Sequence, residues 1–489
     1  MALPSRSTIV SSLTKPRSWI DRLWVAVAER GRAYIAVPST TLAPLERARR
    51  LATALLSERG EASGAAVARE LHAVLRGLDA DERLGFYRFL AAGFLPDERR
   101  LRAAAEAYLA QSSAERPALL AEAAEPARQE LLRRMNMSMG GTAALVAMRK
   151  ELLGRVRQEP ALKPLDGDLR HLFASWFNRG FLELRRIDWE TPAAILEKLI
   201  EYEAVHQVQG WDDLRRRVGP DRRCFAFFHP SLPGEPLIFV EVALVEGLAT
   251  AVQPLLMRDR DEKAQRERAE RADTAIFYSI SNCQEGLRGV SFGNFLIKQV
   301  VEELKAELPH LTRFSTLSPV PSFRRWLEQR AASGAADLLL ADESAALRRA
   351  GGAAESDDAG ALLLSLLRRE SWWEEAALVE VLRRPVVRLC ALHLTSPAGA
   401  GRATDPVAHF HLGNGARLER LNWLGNVAPR GIEESFGLMV NYLYDPDMIE
   451  ANHEAFARDG TVMRSPEIDA LLAPSPATVA AGRSRLRRR

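Results

Sequence analysis

Between Ala275 and Trp326 the hydrophobic pattern changes period twice, and few folds accommodate the order in which it does so. Ala275-Ile-Phe-Tyr-Ser-Ile-Ser281 is short, aromatic and β-branched, which predicts a buried strand. A turn-rich passage leads through Arg288-Gly-Val-Ser-Phe-Gly293 into a segment whose apolar residues, Ile297, Val300, Val301, Leu304 and Leu308, recur at helical spacing. Pro309 ends that helix. A second strand, Arg313-Phe-Ser-Thr-Leu317, runs into Ser318-Pro319-Val-Pro321, where two prolines fix the backbone and are expected to stop the strand, placing Ser318 on a stiff corner. Ligands of open α/β sheets bind at strand ends, so the corner is a candidate site, although Ser-Pro more commonly just initiates a turn.

A helix that starts after small residues leaves backbone N–H groups unpaired, and its dipole adds partial positive charge there, which suits an anion. The turn Arg288-Gly289-Val290-Ser291-Phe292-Gly293-Asn294 resembles the Arg/Gln-x-x-Gly-x-Gly/Ala turn with which GNAT-type acyltransferases hold the pyrophosphate of coenzyme A, with Ser291 where that pattern prefers glycine. Glycines before a helix more often make a tight turn than hold a ligand, so both readings stand at this point.

With 489 residues the chain is too long for one ordinary core, and at least two domains are expected. Sixty-seven basic residues against 64 acidic ones leave +3, which gives no general attraction to nucleic acid. The most apolar passage, Pro236 to Leu256, carries Glu241 and Glu246, so no membrane span is expected. Cys224, Cys283 and Cys390 have neither metal-ligand spacing nor the look of a disulfide framework, which points to a reducing, cytoplasmic setting. The first twenty residues lack a secretory pattern; poor in acids and rich in Ser and Arg, they are compatible with an organellar presequence.

Residues 1–44 carry little signal beyond a short helix over Trp19 to Ala28. From Leu45 to about Phe177 strong helix formers dominate, with breaks at Gly60, Leu95-Pro96-Asp97, Pro117, Gly140-Gly141 and a turn at Pro164-Leu-Asp-Gly167. That predicts a bundle of six to eight helices over 45–185, with His72 and His171 as ordinary histidines, and a role in self-association. A helix from Pro192 to Val205 opens the second domain, 186–465, in which Arg223–Phe228 and Leu237–Leu244 are strands joined by a proline-rich loop containing His229. The charged run Arg258 to Arg271 reads as a solvated loop or short helix. Residues from about 328 to 396 read as a helical insertion, and 466–489 as a basic, disordered tail.

Asp405-Pro-Val-Ala-His409-Phe-His411-Leu-Gly-Asn414-Gly415 is the last informative block before an aromatic strand ending at Tyr444. As a strand it would turn His409 and His411 to one face, but no acidic or cysteine partner stands at ligand spacing and no metal site is expected. The Gly-Asn-Gly that follows either forms a hairpin turn or lets backbone amides approach a ligand oxygen.

Several motifs taken together resemble the malonyl-CoA decarboxylase family: Ser279-Ile-Ser with Gln284-x-Gly-Leu-x-Gly-Val, Leu-Ser318-Pro-x-Pro-x-Phe, Asp405-Pro-Val-Ala-x-Phe-His411-Leu-x-Asn-Gly-Ala, and Arg430-Gly-Ile with Asn441-Tyr-x-Tyr444. The likeness runs from about Phe181 to Tyr444 and takes in Glu203-Ala-Val-His206 and Gly234-Glu-Pro236. It implies an α+β chain in which an N-terminal all-helical bundle precedes a GNAT-like mixed α/β domain with a helical insertion. It also implies malonyl-CoA and acetyl-CoA as substrate and product, no separate cofactor, no metal, and a homo-oligomer assembled through the helical domain. Carried over by position, the catalytic pair falls on Ser318 and His411, with Tyr444 close by. The contacts to the coenzyme A thioester fall on Ser279, on Arg288 to Asn294, and on Asn414 and Gly415. Animal members tend to carry glutamate where Ser291 stands, so if that carboxylate orients the pair there, another group must do so here.

Loss of carbon dioxide from a malonyl thioester leaves an enolate that must be stabilised and then protonated on carbon. A serine hydroxyl backed by an imidazole is suited to that task. The same residues are equally those of a thioesterase, with Ser318 as nucleophile, and the turn alone is compatible with an acyltransferase. A non-enzymatic scaffold is supported only by the helical half.

Overall fold

The computed structural model describes residues 42–473 except 58–59, 112, 204, 291–295, 334–337, 353, 355–357 and 397–402. The short helix expected over 19–28 and the arginine-rich end lie outside the described residues. Two compact units emerge: one holds the described residues up to Leu182 with Phe228–Glu235 and Gln284–Phe292, the other Glu183–Phe227, Pro236–Cys283 and Gly293 onward.

The first unit is helical. Among the described residues it contains Pro44–Ser57, Glu61–Gly77, Ala80–Ala92, Glu98–Ala110, Arg116–Ala124, Ala127–Asn136, Gly141–Arg155 and Lys163–Trp176. Two of these starts carry a side-chain cap: Asp97 accepts from the Arg100 N–H, and Asp79 accepts from Asp81 and Glu82 N–H while Glu82 reaches back, a reciprocal capping box. The turn expected at Pro164 to Gly167 is instead the first turn of Lys163–Trp176, because a proline there has no N–H to lose. Leu51, Leu71, Phe86, Leu131, Leu145, Leu169 and Phe173 form the core. Arg128, 3% exposed, is paired with Asp168 at 2.6 Å and also donates to the carbonyls of Leu90 and Ala91, so the buried charge is matched. Arg149 holds the Gln284–Val290 segment, donating to the carbonyls of Gly286 at 2.8 Å and Arg288 at 2.9 Å.

The second unit is built on one sheet of eight strands: β1 (Glu183–Ile187), β2 (Arg222–Phe228), β3 (Pro236–Val245), β4 (Thr274–Asn282), β5 (Arg313–Thr316), β6 (Ser318–Pro319), β7 (Arg417–Asn422) and β8 (Met439–Tyr444). Their order is β1-β2-β3-β4-β5-β8-β6, with β7 also paired to β8. Every residue of β2 is buried, as a strand covered on both faces must be. β3 and β4 are antiparallel, whereas β4 and β5 are parallel, with Phe277 beside Thr316. A parallel pair needs a crossover, and the amphipathic helix Leu296–Glu307 supplies it, burying Ile297, Val300, Val301 and Leu304 while Leu308 lies just past its end. Ala243, Ile276, Tyr278, Leu317 and Met439 pack together with Val252 and Leu255 on one face.

The prolines do not stop the strand at Ser318. The strand assignment lapses one residue earlier, at Leu317, whose N–H still bonds the Phe277 carbonyl at 2.9 Å. Ser318 and Pro319 then resume pairing with β8, opposite Val440 and Met439. Proline is tolerated at a strand edge because it needs a partner only for its carbonyl. The insertion is helical, comprising Phe323–Ala332, Ala341–Gly351, Ala359–Leu367 and Ala376–Thr395. The charged run is the helix Glu262–Arg271. At the far end, residues expected to open a disordered tail form the helix Pro466–Leu472, capped by Ser465 and anchored by the fully buried Ile468.

Candidate active site

Ser318, His411 and Tyr444 are brought into one hydrogen-bonded line by three different elements. His411 does not lie on a strand. Asp405 followed by Pro406 is a helix start, and the helix Pro406–Gly413 follows it. Residues two apart on a helix point roughly 200° from one another, so His409 is exposed while His411 is 2% exposed. The alternation that would have set both on one face therefore does not arise. His411 Nε2 lies 3.0 Å from Ser318 Oγ, and its Nδ1 lies 2.8 Å from the Tyr444 hydroxyl. Tyr442 stacks on the imidazole with ring centres 4.7 Å apart, which holds its plane.

Burial pushes the His411 imidazole down to about 3, so it is neutral at pH 7. Burial likewise holds the Tyr444 phenol well above the ordinary tyrosine range, so it keeps its proton. A phenol can donate to Nδ1, which would place the imidazole proton on Nε2, aimed at Ser318. The serine oxygen would then accept from the ring, leaving its own proton to point elsewhere.

The other residues singled out from the sequence fall in different places. Ser279 is 2% exposed and donates to Glu203 at 2.8 Å, in a buried knot where Glu203 also accepts from the N–H groups of Val205 and His206. Its hydroxyl thus serves Glu203, which burial shifts upward. Arg288 is exposed, Gly289 has φ +75°, a conformation that favours glycine, and Val290 is buried. Ser291, Phe292, Gly293 and Asn294 lie outside the described residues. Asn414 ends the His411 helix, its amide donating to Phe410 at 2.6 Å. Gly415 has φ +82°, its N–H is spent on the Leu412 carbonyl, and an added Cβ would stand 2.1 Å from the Ile449 carbonyl oxygen. The close approach that calls for glycine is therefore to Ile449. His229 accepts from the Ser231 N–H at 3.1 Å, as a turn residue does.

Among the described residues no three His, Cys, Asp or Glu side chains are grouped to hold a metal ion, and no helix is long and apolar enough to cross a membrane. Cys224, Cys283 and Cys390 are buried free thiols.

The buried histidines make stability depend on pH. His206 and His393 are pushed by burial down to about 4, His411 to about 3, and His72 is lowered for the same reason. Each takes up a proton more readily when unfolded, so its contribution is present above the ordinary value of about 6.5 and is lost as pH falls below it. Glu241, fully buried and facing Glu203 as well as Arg217, is pushed up to about 8 and works in the opposite direction, as does Glu203. His206, His393 and His411 against Glu241 leave a net uptake of roughly 1.5 protons on unfolding, so stability should fall by about 2 kcal/mol between pH 6 and pH 5. Urea midpoints across that interval measure it; a flat profile would contradict the burial of neutral imidazoles.

A helical region followed by a mixed-sheet domain that buries a hydroxyl, an imidazole and a phenol in line defines an enzyme of the α+β class. Residues 180–482 match the malonyl-CoA decarboxylase C-terminal domain, and residues 94–177 match the N-terminal domain of the same enzymes. The chain belongs to the malonyl-CoA decarboxylase family. It is 36% identical over 412 residues to the mitochondrial malonyl-CoA decarboxylase of Rattus norvegicus, covering 81% of this chain and 82% of that one. It is 38% identical over 337 residues to the mitochondrial enzyme of Anser anser anser, 68% and 66% of the two chains. Among solved structures, malonyl-CoA decarboxylase from Rhodopseudomonas palustris superimposes with a TM-score of 0.78 at 49% identity, covering 87% of this chain and 99% of that one. The Agrobacterium vitis structure gives 0.76 at 46% identity, covering 87% and 100%.

The residues that sequence reasoning missed are Asp405, Ser322 and His393, which link to one another behind the site. Asp-Pro was the available signal for a helix N-terminus.

Proposed function

We propose that this chain converts malonyl-CoA to acetyl-CoA and carbon dioxide, with Ser318 delivering the proton to carbon and His411 supplying Ser318 in turn. The observation that carries the choice of mechanism is the identity of the group on Nδ1. A serine nucleophile needs an imidazole whose free Nε2 takes the hydroxyl proton, usually with a carboxylate accepting from Nδ1. Here a phenol stands there, at 2.8 Å, and the imidazole is a weak base because it is buried. A buried ring with a proton donor at Nδ1 is poorly placed to take the serine proton, while the phenol can refill Nδ1 if Nε2 gives its own, and this favours decarboxylation over thioester hydrolysis. Tyr444 is then the group that orients the imidazole.

In this reading the bond from the carboxylate carbon to C2 breaks, carbon dioxide leaves, and the electron pair rests on the enolate. The Ser318 proton passes to C2 and the Nε2 proton passes to Ser318. The Tyr444 proton moves to Nδ1 as Nε2 gives its own, so the imidazole stays neutral, and one proton from water then restores Tyr444. The turn from Arg288 to Asn294 holds the coenzyme A pyrophosphate, with no metal taking part. Self-association through the helical unit is supported by Leu95, Tyr108, Leu109 and Leu119, large apolar side chains that are 40–82% exposed.

The test is malonyl-CoA labelled in its free carboxyl group. Labelled carbon dioxide and acetyl-CoA are expected in equal amounts, unchanged by a chelator. Malonate with free coenzyme A would overturn the reading in favour of a thioesterase.

A further inference from the structure

We infer that Asp405 is a positioning residue that locks the turn carrying Ser318 to the helix carrying His411. This rests on the proposed roles of that pair. The hydrogen bond between Ser318 and His411 joins residues 93 positions apart, on a two-residue strand and an eight-residue helix that are separate elements. Neither element is long enough to set the register of the other.

Asp405 is fully buried and receives four donors from two segments. Its Oδ1 accepts from the N–H groups of Val407 at 2.9 Å and Ala408 at 3.0 Å, which caps the His411 helix. Its Oδ2 accepts from the Ser322 N–H at 3.1 Å and the Ser322 hydroxyl at 2.5 Å. Ser322 follows Ser318 across Pro319 and Pro321, whose φ angles are confined, so fixing Ser322 confines Ser318 as well. The Ser322 hydroxyl also lies 2.9 Å from His393 Nε2, which ties the same point to the helix Ala376–Thr395. From Asp405 to His411 is about 9 Å of helix, so a slip at the cap carries through to the imidazole.

Asp405→Asn separates the two jobs of the side chain. An asparagine Oδ1 still caps the helix, but its amide now faces the Ser322 N–H, a donor against a donor. Turnover should fall about 100-fold, the size expected of a misplacement near 1 Å, with KM unchanged within twofold. In single-turnover measurements the same substitution made in Ser318→Ala should cost nothing further, since no hydroxyl remains to be aligned. The inference is overturned if Asp405→Asn keeps turnover within threefold of the parent, or if it lowers the residual rate of Ser318→Ala by the same factor. If Asp405→Asn does not fold, Ser322→Ala takes its place: a loss of about tenfold with KM unmoved is expected, and an unchanged rate overturns the inference. Near-normal turnover in Ser318→Ala alone would instead remove the Ser/His reading beneath it, so the two failures are distinguishable.

Discussion

Replacing Ser318 with alanine should reduce turnover of malonyl-CoA about a thousandfold while leaving acetyl-CoA affinity within twofold. General acid–base groups contribute roughly 100- to 10,000-fold, and in the proposed mechanism one hydroxyl both meets the substrate and passes on the imidazole proton. His411→Asn should cost a similar factor, because it removes the ring nitrogen 3.0 Å behind that hydroxyl. The two losses should not multiply: groups that act in one relay fail together. Tyr444→Phe leaves the imidazole in place but frees its tautomer, so a smaller loss, about tenfold, is expected. Steady-state rates beside binding of acetyl-CoA measure all of this. Ser318→Ala retaining a tenth of parental turnover would end the proposed role.

The largest loss of stability is expected at Gly415. An alanine there meets two independent penalties. At φ +82° an L side chain costs roughly 1–2 kcal/mol. The new Cβ would also stand 2.1 Å from the Ile449 carbonyl oxygen, a backbone atom that cannot rotate away, which adds roughly 1–3 kcal/mol or more. The Gly415 carbonyl accepts from Asn452 at 3.1 Å, and the next N–H, that of Ala416, bonds the His411 carbonyl, so relief by moving the backbone disturbs the site too. Gly413→Ala, two residues earlier, is the control: nothing lies within 4 Å of its added Cβ, and alanine is the better helix former. Chemical denaturation should separate the two variants by about 3–5 kcal/mol. Equal midpoints would mean that the approach to Ile449 is not maintained.

Much of the fold could be read because local pattern and tertiary burial agree. β4 is buried along nearly its whole length, as its aromatic and β-branched run implied, and the helix Leu296–Glu307 follows its hydrophobic period, since a strand covered on both faces and a helix stripe each meet a core. Where two local signals competed, reading failed. His409 and His411 alternate as strand residues do, but Asp405 and Pro406 start a helix, and the cap prevailed because its carboxylate is also held by Ser322. Pro164 suggested a turn yet sits in a first helical turn, where its missing N–H is without cost. The pairing of Ser279 with Glu203 could not be read at all, since the two are 76 positions apart and nothing in either segment announces the other.

The sequence by itself determined the two kinds of architecture, the crossover helix, and the residues worth watching: Ser318 and, through family likeness, His411 and Tyr444. Only the tertiary structure decided what those residues are to one another. Hydrogen bonds between segments tens of positions apart leave no periodicity in the chain, and whether a hydroxyl gives or takes a proton depends on what stands behind the imidazole. Burial set the state of His411 and Tyr444, and burial is a property of packing.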